Sequence, residues 1–95
     1  MNDAADFKRC CRNDYIEMAA QRGQSFLLEE ADQCDEASVY LRSMAKEDPA
    51  YTVLAKRASY RAAEARRVFG MLPDMLRAAA RDIKRSRRQQ KGRQS

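Results

Sequence analysis

One helix-start signal, Asp48-Pro49, divides this 95-residue chain into two segments, and each segment carries a single apolar stripe at helical spacing. An Asp accepts hydrogen bonds from first-turn amides. Pro suits the first helical position because its missing N–H would have no partner there. After the break the stripe runs Tyr51, Leu54, Ala58, Ala62, Ala65, Phe69, Leu72, Leu76, Ala79 and Ile83, in steps of three and four. Before it the same steps pick out Ile16, Ala20, Gly23, Leu27, Ala31, Cys34, Ser38, Leu41 and Ala45. No segment joins β-branched enrichment to period-two alternation, so the chain is predicted to be all-α. Two helices joined by so short a connection must run antiparallel, as a helical hairpin.

In such a hairpin, residues at one level have numbers that sum to about 96. Leu27 then meets Phe69, Cys34 meets Ala62, and Leu41 meets Leu54. The central levels pair small residues, which allows close backbone approach. The helix breakers also share a level: Gly23 lies opposite Leu72 and Pro73, with Gly70 just before them. A Pro inside a helix costs about 3 kcal/mol unless the helix kinks or ends there. Two architectures satisfy this pattern. One is a long hairpin, kinked near Gly23 and Gly70-Pro73, that dimerises. The other is a small bundle of four helices near 4–22, 25–47, 49–69 and 73–88. The register of the stripe persists across the break, which favours the long hairpin.

Charge divides at the same place. Residues 1–48 hold 11 acidic and 6 basic side chains, whereas residues 49–95 hold 3 and 13. The antiparallel register sets Glu29, Glu30, Asp32, Asp35 and Glu36 opposite Arg61, Arg66 and Arg67. Exposed pairs of this kind contribute up to about 1 kcal/mol each and serve register more than stability. The C-terminal run Lys84, Arg85, Arg87, Arg88, Lys91 and Arg93 has no such compensation. It suits contacts to nucleic-acid phosphates or to an acidic protein surface. It also suits a solvated, flexible tail over 84–95, appended to a single domain over 1–83.

Several apolar residues fall off the stripe: Phe26, Val39, Tyr40, Tyr60, Val68, Met71 and Met75. They widen the apolar arc beyond a two-helix seam and predict a partner-binding face, covered by a second copy of the chain or by another protein.

Enzymatic chemistry is not expected. The chain has no His, no Ser or Cys beside a plausible base, no glycine-rich phosphate loop and no metal-ligand spacing. No cofactor and no small-molecule substrate are therefore predicted. Cys10 and Cys11 lie beside Lys8, Arg9 and Arg12, cations able to activate a thiol, but one inward-packed Cys and one incidental Cys is the expected reading of the pair. Cys34 belongs to the core stripe. No window is apolar enough to span a membrane, and the start resembles no signal peptide, so a cytoplasmic protein is expected. No motif assigns a family. The primary expectation is a small helical protein–protein interaction module, and the alternative is a small nucleic-acid-binding protein acting through its basic end.

Overall fold

Each segment breaks where its glycine lies, and the two breaks are fastened together. The computed structural model describes residues 3–94, with side chains described through Gln90. Its elements are α1 (Asp3–Arg22), α2 (Ser25–Ala45), α3 (Tyr51–Phe69) and α4 (Pro73–Gln94). α1 opens with Asp3 and Asp6 in its first turn and closes with Arg22 in its last, which matches the helix dipole at both ends. It stops at Gly23, whose φ of 95° is open to glycine at little cost, and whose amide donates to the Ala19 carbonyl at 3.0 Å. α3 stops at Gly70, and α4 restarts with Pro73 in its first position. Gln24 bridges the two breaks. Its side-chain amide donates to the Phe69 carbonyl at 3.1 Å and to the Met71 carbonyl at 2.6 Å.

The chain is thus all-α, and of the two expected forms it takes the four-helix one. α2 and α3 form the central hairpin. In its turn, Asp48 Oδ1 accepts from the Ala50 amide at 3.0 Å, and α3 begins two residues past Pro49. Arg66 on α3 pairs with Asp32 and Asp35 on α2, and Arg42 donates to Ser59 Oγ at 2.9 Å. The small residues Ala31, Cys34 and Ser38 on α2, with Ala55, Ala62 and Ala65 on α3, are buried.

α1 turns back at Gly23 and lies on this hairpin. Its Tyr15 hydroxyl donates to Glu30 Oε1 at 3.4 Å, and its Phe7 ring meets Tyr60 at a centroid distance of 5.9 Å. Ile16, Ala19 and Tyr15 join Leu27 and Val68 in one core cluster. That burial explains why the fold doubles back. A straight hairpin would leave off-stripe Val68 in water, and covering it stabilises the fold by about 1.5–3 kcal/mol. α4 then runs antiparallel along α1: Pro73 and Leu76 lie beside Ala19, Ala20 and Gly23, while Ile83, Ser86 and Gln90 lie beside Arg9, Arg12 and Asn13. The numbers still sum to about 96 along this outer pair. The result is a slab whose Cα extents are 47 × 33 × 16 Å.

Two expectations are corrected. Val68, assigned to an open partner face, is fully buried at 0% exposure, and Phe69 stands 36% exposed in the place expected to face Leu27. The folded-back α1 causes this, because it shifts the buried arc of α3 by one residue. Tyr60 and Met71, also assigned to that face, are partly buried against the core. Residues 84–94, assigned in sequence to a tail, continue α4 as helix, while Ser95 lies outside the described residues.

Candidate nucleic-acid interface

α4 has one face for the bundle and a different face for charge. Leu76 and Ala80 are buried and Ile83 partly so, all against α1. Five cations, Arg77, Arg81, Lys84, Arg85 and Arg88, are exposed at steps of one, three or four. At about 100° per residue they occupy a single arc of α4 centred roughly 120° from the packed side. The stripe is about 16 Å long from Arg77 to Arg88. Its cations near the C-terminal end also complement the helix dipole. Asp74 is in the first turn and Asp82 lies on the opposite flank, in a cleft of ≈470 Å³ shared with Arg9 and Arg12.

Arg87 is separate from this stripe. It points back to α1, where its Nη1 lies 2.8 Å from Glu17 Oε1. Glu17 Oε1 is buried and has no aligned hydrogen bond, so the contact is an ion pair by proximity. Among the described residues, Arg87 is the one basic residue of α4 paired with a carboxylate. The run read from sequence therefore divides. Lys84, Arg85 and Arg88 share the exposed stripe, Arg87 does not, and Lys91 and Arg93 fall where α4 side chains are not described. Arg77 and Arg81 were missed. The signal for them is in the sequence: 77, 81, 84 and 88 repeat at steps of four, three and four, in fixed phase with the apolar stripe of the same helix.

On the side of α1 that meets α3, Phe7 packs against Tyr60 and two arginines. The Arg57 and Arg61 guanidinium carbons lie 5.1 and 5.6 Å from its ring centroid. Past the start of α1, the α2–α3 groove continues as an open cleft of ≈540 Å³ with Leu41 and Leu54 both among its lining residues. Arg61 is thus directed to Phe7 instead of the acidic cluster. Arg67 pairs within α3 with Glu64, at 3.4 Å.

Glu64 is the other residue that sequence reasoning passed over. It is 1% exposed, and its Oε2 lacks an aligned hydrogen bond. An ionised carboxylate in that position costs stability that Arg67 only partly offsets. Burial and the neighbouring Glu64 together raise the Tyr60 hydroxyl above its ordinary range.

The thiols are quiet. Burial pushes Cys11 up to about 11, against a lowering contribution from Arg61. Burial also raises Cys34, whose Sγ lies 3.8 Å from the Tyr15 hydroxyl and 3.6 Å from Glu30 Oε1. Cys10 is exposed. Among the described residues, no three His, Cys, Asp or Glu side chains gather as a metal site, and no helix is long and apolar enough to cross a membrane.

Of the other residues assigned to a partner face, Val39, Tyr40 and Met75 are exposed, and Phe26 is half-buried beneath the Arg22 guanidinium, 5.0 Å away. Phe26, Val39 and Tyr40 belong to α2, whereas Met75 belongs to α4 itself. Comparison with protein-family models, with curated proteins and with solved structures finds no match.

Proposed function

We propose that this chain is a small non-enzymatic binding protein that holds a nucleic-acid backbone on α4. The observation that carries this reading is the stripe Arg77, Arg81, Lys84, Arg85 and Arg88, exposed on one side of a helix that packs on α1 by its other side. Five cations with no carboxylate partner among the described residues cost little to bring against phosphates, and each neutralised phosphate releases a condensed counterion. The folded-back α1 strengthens the reading by subtraction: it absorbs Val68, and in part Tyr60 and Met71, which had argued for a protein partner.

The test is retention of the full chain on immobilised mixed-sequence nucleic acid, eluted with a salt gradient. The wild type should bind at 50 mM salt and elute as salt rises, and Arg85→Glu with Arg88→Glu should flow through with helicity intact. A reversal variant that is retained like the wild type refutes the reading.

The primary expectation from sequence is a protein-interaction module, and one observation favours it. Val39 and Tyr40 stand 66% and 64% exposed on α2. Sedimentation equilibrium decides whether they serve a homodimer: Tyr40→Ala should then shift a dimer toward monomer and leave nucleic-acid retention unchanged.

A further inference from the structure

Resting on the reading that α4 holds phosphates, we infer that the form of nucleic acid it takes is the B-form double helix, with α4 laid along the major groove and its stripe on one strand's phosphates. Three features of α4 separate this from the other forms.

The first is what α4 lacks. Residues 73–94 contain no Phe, Tyr or Trp. Proteins that hold single strands combine a basic track with aromatic side chains on which unpaired bases stack, each stacked base contributing about 1–3 kcal/mol. α4 has the track without the platform. The aromatic rings of the molecule lie on α1, α2 and α3, where Phe7 is taken up by Tyr60 and two arginines and Tyr15 is buried.

The second is shape. α4 sits at the edge of the slab, with Leu76 and Ala80 against α1 and the rest of its surface exposed from Lys84 to Gln90. An α-helix with its side chains is about 10–12 Å across, and the B-form major groove is about 12 Å wide. The A-form major groove of duplex RNA is deep and narrow and does not admit a helix.

The third is spacing. A helix laid along the groove follows a strand's backbone, on which neighbouring phosphates are about 7 Å apart, so a stripe about 16 Å long reaches about three phosphates of that strand. It carries five cations. Side chains that contact phosphates position a protein without reading sequence, so sequence preference should be small.

The experiment is fluorescence anisotropy of the full chain with labelled 20-base-pair duplex DNA, the matching duplex RNA, and each DNA strand alone, at 50 and 200 mM salt. Duplex DNA is expected to bind at least ten-fold more tightly than either single strand or duplex RNA, with less than three-fold variation between unrelated sequences. With about three phosphates neutralised, its affinity should fall by roughly 40-fold between the two salt concentrations. Arg81→Glu with Arg85→Glu should abolish duplex binding at 50 mM. If that variant loses helicity, Arg81→Gln with Arg85→Gln should weaken binding by at least ten-fold. Single strands bound as tightly as the duplex would overturn this inference and leave phosphate binding by α4 standing, as would equal affinity for duplex RNA. Absence of binding to all of them at 50 mM would overturn both.

Discussion

Glu17 of α1 and Arg87 of α4 meet at 2.8 Å, across the helix pair that holds the basic helix against α1. Their side chains are 21% and 57% exposed, so solvent screens much of the attraction. Glu17→Gln should lower stability by up to about 1 kcal/mol, seen as a small shift in the urea midpoint. It also releases Arg87. Nucleic-acid affinity at low salt should therefore rise by about two-fold, in the direction opposite to the stability change.

Leu27 and Phe69 should differ sharply on truncation. Leu27 is fully buried, and Leu27→Ala should cost about 2–5 kcal/mol through lost transfer energy and the cavity left behind. Phe69 is partly in water, so Phe69→Ala should cost less than Leu27→Ala in the same urea titration. Equal losses would restore the straight-hairpin register.

Gly23 should resist a side chain although space surrounds it. No atom lies within 4 Å of a Cβ built there, so the penalty is the backbone's alone. At φ 95°, Gly23→Ala should cost about 1–2 kcal/mol, more than the ~0.4–1 kcal/mol gained by stiffening the unfolded chain. Gly70, with negative φ, should tolerate the same change better in the same assay.

Alkaline pH should loosen the core. Cys11 has its pKa raised from the ordinary 9.0 to about 11 by burial, so it keeps its proton in the fold after the unfolded chain has lost its own. That stabilisation is fully present below pH 9 and disappears as pH rises from about 9 to about 11. The loss is on the order of 2 kcal/mol. Cys11→Ala should flatten the decline of stability over that window, measured by urea titration at each pH. At neutral pH, a maleimide should label exposed Cys10 well before Cys11 and Cys34.

The helices and their breaks were legible because local signals set them. Asp48-Pro49, Gly23 and Gly70-Pro73 each mark an end in the chain itself, and the register about 96 follows from chain connectivity. What doubles back on what was not legible. Stripe periodicity runs unbroken through Gly23, so it cannot distinguish a kink from a reversal. The deciding quantity is the area α1 covers on Leu27 and Val68, which depends on three helices at once. The exchange of Phe69 for Val68 has the same origin. Three of the five cations in the basic stripe were legible as a charge run. Arg77 and Arg81 escaped notice because Ala78, Ala79, Ala80, Asp82 and Ile83 dilute them in linear sequence, although all five cations share one arc in the helix. Glu64 left no sequence trace, since a lone carboxylate among arginines reads as surface.

Because α4 rests on α1, and α1 in turn rests on the α2–α3 hairpin, the molecule is built in series. Each helix closer to the hairpin must hold for the next one out to stay in place. Amide exchange should therefore be fastest in α4, slower in α1 and slowest where Ala31, Ala62 and Ala65 pack. A polyanion that engages α4 would slow exchange not only under its own footprint but inward along the chain of supports, so that α1, which it never touches, would register its arrival.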